Sequence, residues 1–444
     1  MQKVNLVIIG GGPAGYETAS LAAKEGLNVA LIECDNLGGV CLNKGCIPTK
    51  TLIYLANSFR KISTLKEYGL NVDKVDIDYS KLFQKKDKII DDLRLGIEST
   101  LNKNEVIIIK EKAQLIDKNH VKAGSNEFET DYIFIATGAI SKTIDSYKSL
   151  GLFNSDTILD YDKKIDSLAI IGGGVIGMEF ASIYASLGTK VYVIEALDDI
   201  LLNFDSTTTK RLKVMLKKKG IEIFTKTIID SISKTKDGYH MSLNSKGEIV
   251  CEKILLAIGR KPNVNSLDLN SIGIEFNQAG IKVNENFQTN IENIYAIGDI
   301  NNKMMLAHVA SAQGRIALNH LLCKNNEINI NLIPKVIYTS PMVASIGLSE
   351  DECRQKNIKY NCYKSMYAKN GKAYLSSEID GNIKIIVDET NRLIGCQIIG
   401  DQADIIIHEI ALAISKEMSV KDITSIIHAH PCLSEIVFEA LLDI

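Results

Sequence analysis

The sequence lacks an excess of charge of either sign. Its 51 Lys and Arg residues are nearly matched by 54 Asp and Glu residues, which leaves a net charge of −3. Because nucleic acids and anionic membranes attract proteins with a basic surface, neither is expected as a partner. The first apolar run, from Val4 to Ile9, is too short for a signal peptide or a membrane span. The composition therefore favours a protein that binds small molecules.

The sequence also lacks the cysteine pattern of a secreted protein. Its nine cysteines are an odd number and are spread along the chain, which argues against a framework of structural disulfides. We therefore expect a cytoplasmic protein. Hydrophobic residues make up 45% of the chain and charged residues 24%, which excludes collagen-like and mainly disordered classes. A length of 444 residues predicts about three domains.

An internal repeat organises the first half of the chain. Residues 8–19, IIGGGPAGYETA, recur as residues 170–181, IIGGGVIGMEFA, and at the same offset Glu33 corresponds to Glu195. Each copy reads as an apolar strand, a glycine turn, an Ala-rich helix and a second strand that ends in the acid. The repeat predicts two βαβ units.

Each unit contains the G-x-G-x-x-G spacing of a dinucleotide-binding turn. The first glycine permits the tight turn, the second lets the backbone approach a pyrophosphate, and the third lets the helix pack closely on the strand. Glu33 and Glu195 can accept hydrogen bonds from ribose hydroxyls. A single such motif often serves only strand–helix packing, but two copies with their acids favour two dinucleotide sites. The glycines are Gly10, Gly12 and Gly15 in the first unit and Gly172, Gly174 and Gly177 in the second.

Three later strand-like runs end at Gly138, Gly259 and Gly298. By themselves they indicate core strands followed by turns. Asp299, however, comes directly after Gly298, and open α/β sheets bind ligands at the C-terminal ends of their strands. Its carboxylate is a candidate ligand for the ribityl chain of a flavin.

The order of these elements predicts an α/β protein with two Rossmann-like dinucleotide-binding domains and a C-terminal α+β domain. The predicted domains span residues 1–140 and 141–261, and residues 262–334 form a central segment that returns to the first domain. In residues 335–444, short strands at 336–338, 383–387 and 393–399 alternate with amphipathic helices such as 404–417. Because no glycine fingerprint recurs there, we expect the last domain to form an interface.

Two cysteines, Cys41 and Cys46, follow the first unit directly. Five residues of regular α-helix rise about 7.5 Å, which exceeds the usual Cα separation of a disulfide, about 4.4–6.8 Å. A bridge therefore needs a distorted helix, for which Gly45 supplies slack. A disulfide under strain in a reducing compartment is of the labile, catalytic kind. The alternative is a pair of buried free thiols; no second C-x-x-C or His pair is nearby to suggest zinc.

A candidate base lies near the C-terminus, where Glu435 follows His430 by five residues. If the carboxylate holds one imidazole nitrogen, the other is left as a base that can deprotonate a dithiol. A lone histidine is more often packed or merely exposed, so both interpretations stay open at this point.

Together these features resemble the pyridine nucleotide-disulfide oxidoreductases, and within that family the members that oxidise protein-bound dihydrolipoamide with NAD⁺. The resemblance covers nearly the whole chain. Its most specific segments are residues 41–48 (CLNKGCIP), 305–308 (MLAH), 336–341 (VIYTSP) and 428–435 (HAHPCLSE).

The resemblance implies that the first unit binds FAD and the second binds NAD. Lys50 and Glu179 would form an ion pair beside the flavin. The residues expected around FAD are Gly10, Gly12, Gly15, Glu33, Lys50, Gly138 and Asp299, those expected around NAD are Gly172, Gly174, Gly177, Glu195 and Gly259, and further cofactor contacts are expected from Met305, Leu306, Ala307 and His308.

The resemblance also implies the chemistry. Dihydrolipoamide would attack Cys41, Cys46 would face the flavin, and His430, held by Glu435, would be the base. His430 would come from the partner subunit of a homodimer formed through the C-terminal domain, and the His430–Pro431 peptide would be cis. The implied partners are the lipoyl domains and acyltransferase core of a 2-oxoacid dehydrogenase or glycine cleavage complex. No metal is expected.

Rival members of the family are the glutathione and mercuric reductase types. The glutathione type uses NADPH, whereas Gly177 and Glu195 fit NAD because an acid repels a 2′-phosphate, and Val175 lacks the usual aromatic gate. A mercuric reductase is expected to have a C-terminal cysteine pair, which residues 439–444 lack. A non-catalytic flavoprotein scaffold or binding component is the alternative from another class, and the retention of the cysteine pair and of the His–Glu pair argues against it.

Three residues depart from the usual family pattern: Lys44, Met342 and Cys432. None removes a catalytic role. We expect Cys432 to pack as a small hydrophobic residue.

Overall fold

The computed structural model describes residues 1–72, 75–244 and 246–442. The predicted C-terminal domain extends to residue 444, so Asp443 and Ile444 lie outside the described residues. Within the described ranges, no helix is both long enough and apolar enough to cross a membrane.

The first stretch of the chain begins with a strand whose last four residues are apolar and buried, and this strand leads through a glycine turn into a helix. Pro13 stands at the start of that helix, where its missing N–H costs nothing because no intrahelical acceptor is available there. The elements are β1 (Gln2–Ile9), α1 (Pro13–Lys24), β2 (Val29–Ile32), α2 (Gly39–Lys44), α3 (Cys46–Thr64), a 3₁₀ turn (Leu65–Tyr68), α4 (Tyr79–Lys103), β3 (Ile107–Ile109), β4 (Ala113–Leu115), β5 (His120–Ala123), β6 (Asn126–Ile135) and β7 (Ala139–Ser141).

The second stretch repeats this beginning and adds an antiparallel subsheet. Its second long helix begins after Asp205, whose side chain accepts a hydrogen bond from the Thr208 N–H and so caps the helix. The elements are two 3₁₀ turns (Asp145–Leu150 and Thr157–Asp160), β8 (Phe153–Asn154), β9 (Ser167–Ile171), α5 (Val175–Ser186), β10 (Lys190–Ile194), α6 (Ser206–Lys218), β11 (Ile221–Phe224), β12 (Ile229–Thr235), β13 (Gly238–Leu243), β14 (Gly247–Cys251), β15 (Lys253–Leu256) and β16 (Arg260–Pro262).

The rest of the chain contains a short connecting stretch and then a run of longer antiparallel strands with helices. The elements are three 3₁₀ turns (Val264–Ser266, Asn270–Ile272 and Gly298–Asn301), β17 (Phe276–Asn277), β18 (Gly280–Ile281), β19 (Ile294–Ala296), α7 (Ala307–Leu321), β20 (Lys335–Ile337), β21 (Met342–Gly347), α8 (Glu350–Gln355), β22 (Tyr360–Met366), a 3₁₀ turn (Tyr367–Lys369), α9 (Gly371–Leu375), β23 (Asn382–Asp388), β24 (Leu393–Gly400), α10 (Ala403–Ser415), α11 (Val420–Thr424) and α12 (Glu435–Leu442).

The first sheet combines strands from distant parts of the chain. Strands β3, β2, β1 and β6 run parallel, and β5 and β4 extend the sheet in antiparallel pairs. Strand β19 pairs in parallel with β6. The chain therefore returns to its first sheet after it has built the second.

The second sheet is parallel, in the order β11-β10-β9-β15-β8. The antiparallel strands β12, β13 and β14 pack on it through a shared apolar cluster that includes Ile171 and Met241. The turns after β1 and β9 match, with φ of +111° at Gly10 and +113° at Gly172. The predicted duplication and the predicted α/β class are confirmed.

The chain crosses between the two sheets through a two-stranded antiparallel pair, β7 and β16. The predicted boundaries after residues 140 and 261 fall in these strands. The structure shows where the crossings lie, and the boundaries themselves stay predictions.

The C-terminal stretch forms an antiparallel sheet in the order β20-β21-β24-β23-β22. Its core packs strand residues such as Ile385 and Ile398 against Ile407 of α10 and Leu441 of α12. The predicted strands and the predicted helix at 404–417 agree with the structure to within two residues at each end. The α+β character of this stretch is therefore confirmed.

A buried ion cluster joins the second stretch to the C-terminal sheet. The Lys384 ammonium lies 2.6 Å from the Asp205 carboxylate and 2.8 Å from that of Glu350. Because an unpaired buried charge is costly, a cluster whose members all pair favours one placement of the two parts.

Candidate active site

A cavity of about 1220 Å³ lies between the two glycine turns. A pocket for one drug-sized ligand measures about 300–1,000 Å³, so this cavity has room for more than one ligand. The predicted site residues that line it are Gly10, Gly12, Glu33, Cys41, Cys46, Lys50, Gly138, Gly172, Gly174, Glu179, Glu195, Gly259, Asp299, Met305, Leu306 and Ala307.

The third glycine of each turn lies behind the cavity wall and serves packing. A Cβ on Gly15 would lie 1.8 Å from the Gly10 carbonyl oxygen, and one on Gly177 would lie 2.0 Å from that of Gly172. Only glycine lets the helix come this close to the preceding strand.

The glycines that precede α1 and α5 leave both helix starts open. Gly12 and Gly174 stand at these starts, and no side chain caps either helix. The first N–H groups of each helix are therefore available to an anion in the cavity.

Glu33 and Glu195 have matching hydrogen bonds. One carboxylate oxygen of Glu33 accepts the Gly11 N–H at 2.6 Å and the other accepts the Asp35 N–H at 2.7 Å. Glu195 accepts the Gly173 N–H at 2.6 Å and the Leu197 N–H at 2.8 Å. Each acid thus holds its own glycine turn in place, and a carboxylate oxygen with one donor still has a free lone pair for a ribose hydroxyl.

Asp299 lies in a turn that a buried glutamine supports. The Gln313 side-chain oxygen accepts hydrogen bonds from the Gly298 N–H and from the Asn301 amide, each at 2.7 Å. Burial raises the pKa of Asp299, and the positive charge of Arg260 opposes this rise.

Sequence reasoning missed Arg260, which also lines the cavity. Its guanidinium donates to the Ala139 carbonyl at 2.7 Å, the Ser141 hydroxyl at 3.0 Å and the Asp156 carboxylate at 3.2 Å. It thereby ties together the two crossings of the chain. Because Arg260 directly follows Gly259, a predicted cofactor-binding residue, its position in the sequence could have indicated that it lies at the cavity.

The two cysteines belong to different helices. Helix α2 ends at Lys44 and α3 begins at Cys46, with Gly45 between them at φ −146° and ψ −111°. A Cβ on Gly45 would lie 2.9 Å from the Val40 carbonyl oxygen, so the chain folds back on itself there. The predicted interruption of the helix is present.

A side-chain amide fixes α2 to the loop before it. Asn43 donates to the carbonyl oxygens of Leu37 at 3.0 Å and Gly39 at 2.8 Å. Because Asn43 lies between Cys41 and Cys46, these two bonds also position the cysteine segment.

The two half-buried thiols are electrostatically unequal. A hydrogen bond from the Cys41 thiol lowers the pKa of Cys46 to about 7 despite its burial, and the charge of Lys50 lowers it further. The same hydrogen bond, together with burial, raises the pKa of Cys41. In the reduced pair, Cys46 is therefore the thiol that ionises first as the pH rises.

Lys50 and Glu179 form the expected ion pair. The Lys50 ammonium lies 2.8 and 3.0 Å from the two carboxylate oxygens of Glu179. Lys50 belongs to the helix that starts at Cys46, and Glu179 belongs to α5, so the pair joins the two halves of the cavity.

His430 and Glu435 also form a pair, but away from the cavity. The His430 Nδ1 lies 2.9 Å from a Glu435 oxygen, and the His430 side chain is 78% exposed. The second Glu435 oxygen accepts the Cys432 N–H, and this bond, with help from His430, lowers the pKa of Glu435. Among the described residues that line the cavity, neither member of this pair is present. The His430–Pro431 peptide is cis, as is Ser340–Pro341.

The surroundings of two residues, His308 and Cys432, differ from those that we predicted. His308 does not line the cavity in the described part of the chain, and its Nε2 lies 3.0 Å from the Pro334 carbonyl oxygen; its cofactor role stays a prediction. Cys432 is half-buried and makes polar contacts, at 2.8 Å to the Ala429 carbonyl and 3.1 Å to the Ser434 hydroxyl. Its thiol therefore makes the contacts of a polar side chain, and the expectation of hydrophobic packing was wrong.

Sequence reasoning also missed a second His–Glu pair. The His428 Nε2 lies 3.0 Å from a Glu409 oxygen, and the His428 side chain is buried against Phe438. Glu409 belongs to α10, so the pair anchors the loop that presents His430.

Comparison with known proteins assigns the family. The model described as pyridine nucleotide-disulphide oxidoreductase matches residues 4–314, and the model of that family's dimerisation domain matches residues 333–441. The chain belongs to the pyridine nucleotide-disulphide oxidoreductase family. Its C-terminal stretch is the dimerisation domain of that family.

Curated relatives and solved structures match over nearly full length. The chain is 37% identical to a dihydrolipoyl dehydrogenase of Chlamydia pneumoniae, with 99% of this chain and 97% of that protein covered. It is 36% identical to a dihydrolipoyl dehydrogenase of Geobacillus stearothermophilus, with 99% and 95% covered. The structure of LpdA from Mycobacterium tuberculosis superposes with a TM-score of 0.93 at 26% identity, covering 100% of this chain and 99% of that one. The HOCl-induced flavoprotein disulfide reductase RclA from Escherichia coli gives 0.90 at 26% identity, with 99% of both chains covered.

Oxidoreductases of this family use FAD and NAD, and the residues of the cavity fit both. A Cβ on Gly39 would lie 2.6 Å from the Gly12 Cα, so two glycines form a close cradle before the open start of α1. At the start of α5, a Cβ on Gly174 would meet nothing within 4 Å, which leaves space for a phosphate at that helix. The protein is a flavin-dependent disulfide oxidoreductase with a site for a pyridine nucleotide.

Proposed function

We propose that the protein oxidises protein-bound dihydrolipoamide to lipoamide and reduces NAD⁺ to NADH. The observation that supports this most is the unequal cysteine pair beside the Lys50–Glu179 ion pair, in one cavity with both glycine turns. The names of the curated relatives favour this substrate over those of other disulfide reductases.

The cysteines exchange a disulfide with the substrate. A substrate thiolate attacks the Cys41 sulfur, the Cys41–Cys46 bond breaks, and Cys46 leaves as a thiolate. The second substrate thiol then attacks the substrate sulfur of the mixed disulfide and releases lipoamide, and its proton passes to the Cys41 sulfur, which is left as a thiol. The substrate has lost two electrons and two protons, and the cysteine pair has gained the two electrons. Bound FAD supplies the two-electron transfer from the cysteine pair to NAD⁺.

His430 takes the proton from the substrate thiol. Glu435 holds its Nδ1 at 2.9 Å, so the Nε2 is left to act as the base. Because His430 is exposed and lies outside the cavity of its own chain, we assign it to the cavity of the partner subunit in a homodimer. The dimerisation domain supports this assignment.

Around the cofactors, the residues have separate roles. Glu195 accepts hydrogen bonds from ribose hydroxyls of NAD, and its charge disfavours a 2′-phosphate. Glu33 accepts hydrogen bonds from the adenosine ribose of FAD. Asp299 binds the ribityl chain, and Gly138 and residues 305–307 line the flavin side of the cavity.

We further propose that the enzyme serves a 2-oxoacid dehydrogenase or glycine cleavage complex in the cytoplasm. Its partners there are lipoyl domains, which bring the substrate, and an acyltransferase core. The support is the substrate class itself, since dihydrolipoyl groups are carried on such domains.

Steady-state turnover tests the proposal. The full-length flavoprotein should form NADH from dihydrolipoamide and NAD⁺, and it should not reduce glutathione disulfide with NADPH. Cys46→Ser should lose nearly all activity, and His430→Gln should lose about 10²–10⁴-fold, as expected for a positioned base. Faster turnover with glutathione disulfide than with lipoamide would contradict the substrate assignment.

A further inference from the structure

The segment VIYTSP, residues 336–341, has no role in the chemistry described so far. Strand β20 enters it, Val336 lines the cavity, and the segment ends at Pro341. Tyr338 within it stands beside the Lys50–Glu179 ion pair.

Tyr338 contacts both members of that pair. Its backbone N–H donates to a Glu179 oxygen at 3.0 Å, and the Lys50 ammonium lies 4.8 Å from the centre of its ring. An ammonium over an aromatic face within about 6 Å is attracted by the negative face of the ring. Residues from three predicted domains therefore meet at one point.

The ring and the backbone of this segment are held by different contacts. The Ser340 N–H donates to the Ser182 hydroxyl of α5 at 2.8 Å, and Lys219 donates to the Ser340 carbonyl at 2.8 Å. Replacement of the Tyr338 ring therefore leaves the backbone bond to Glu179 and both of these anchors in place.

Lys50 needs such a support more than Glu179 does. The Glu179 side chain is almost fully buried, whereas that of Lys50 is 31% exposed. The Lys50 ammonium is also carried on a flexible four-carbon stem. Without the Tyr338 ring, we expect the Lys50 side chain to adopt further conformations in which its ammonium lies farther from Cys46.

We propose that Tyr338 is a positioning residue whose ring holds the Lys50 ammonium against Glu179 and beside Cys46, so that the dimerisation domain contributes to the redox site of its own chain. The groups that face Cys46 are the Cys41 thiol, Lys50 and Glu179. Those that face the Tyr338 phenol are Asp404, Glu179 and Cys46. The inference rests on the proposed role of Cys46, and its test reads that thiol directly.

The test measures the pH dependence of Cys46 alkylation. The full-length flavoprotein is reduced with a phosphine and pulsed with iodoacetamide over a range of pH, and the modified peptides are quantified by mass spectrometry. Trypsin cleaves after Lys44 and after Lys50, so peptide 45–50 reports Cys46 while Cys41 stays on another peptide. Tyr338→Leu removes the ring and should raise the midpoint, with alkylation below the midpoint slowed about three-fold. Tyr338→Phe keeps the ring face and should match the unmutated protein.

The control is another tyrosine beneath a lysine. The Lys253 ammonium lies 5.3 Å from the centre of the Tyr161 ring, and neither residue lines the cavity within the described chain, so Tyr161→Leu should leave the Cys46 midpoint unchanged. If Tyr338→Leu does not fold with its flavin, Tyr338→Met takes its place.

The outcomes separate the two proposals. An unchanged midpoint in Tyr338→Leu or Tyr338→Met, or an equal shift in Tyr338→Phe, overturns the role of the ring while the proposed function stands. An ordinary thiol midpoint for Cys46 in the unmutated protein overturns both.

Discussion

At the scale of a single residue, the proposed function gives Glu195 two roles. Its carboxylate accepts two backbone N–H groups of the loop around it, from Gly173 and Leu197, and it lines the cavity in which we propose that the pyridine nucleotide binds. A substitution that removes both functions would therefore confuse loop damage with a change in cofactor choice.

Glu195→Gln removes the charge and keeps one of the two loop bonds. The amide oxygen still accepts one backbone N–H, the amide nitrogen cannot accept the other, and the negative charge proposed to repel a 2′-phosphate is gone. We expect the kcat/KM ratio of NAD⁺ over NADP⁺ to fall about ten-fold, which corresponds to about 1.4 kcal/mol, as measured by initial rates with each nucleotide.

Glu33→Gln is the matched control, because Glu33 makes the same two kinds of backbone contact in the first unit. It should weaken flavin retention and leave the NAD⁺ to NADP⁺ ratio unchanged. A fall in that ratio with Glu33→Gln, or no fall with Glu195→Gln, would contradict the assignment of the second unit to the nucleotide.

At the scale of elements, the break between α2 and α3 brings the two cysteines together. Gly45→Ala would place a Cβ 2.9 Å from the Val40 carbonyl oxygen and 3.3 Å from the Cys41 Cα, so the helices must separate. We expect slower disulfide formation and at least ten-fold lower turnover, measured by thiol titration during reoxidation and by NADH formation.

Gly96→Ala provides the comparison for that substitution. Gly96 lies inside α4, and a Cβ there would meet nothing within 4 Å. Alanine should raise stability by about 0.5–1 kcal/mol in denaturant unfolding, because glycine is unfavourable within a helix. Equal loss of turnover in both variants would show that the close approach at Gly45 does not matter.

Those parts of the site that depend on residues close together in the sequence could be predicted from the sequence. The glycine turns and the need for a helix break at Gly45 follow from spacing within a few residues. The contacts of Arg260 and Tyr338 could not be predicted, because their partners come from other sheets and helices and meet only in the folded chain. The polar surroundings of Cys432 depend on the conformation of its loop, which its residue type does not reveal.

At the scale of the whole molecule, the described chain contains all the proposed catalytic side chains but does not bring them together in one place. The cysteine pair lines the cavity, whereas His430 is exposed on the C-terminal domain. A base that is held by Glu435 yet faces solvent is consistent with a site completed by a second copy of the chain. A homodimer with two-fold symmetry would complete both sites in the same way.

Subunit exchange tests this arrangement. Cys46→Ser and His430→Ala chains should each be nearly inactive as homodimers. After mixing, dissociation and reassociation, a mixed dimer has one site with both defects and one site with neither, because each site takes its cysteines from one chain and its base from the other. Random pairing makes about half of the dimers mixed, so NADH formation should recover to about a quarter of the unmutated rate. If exchange is demonstrated by mass spectrometry of tagged chains and activity does not recover, His430 acts within its own chain.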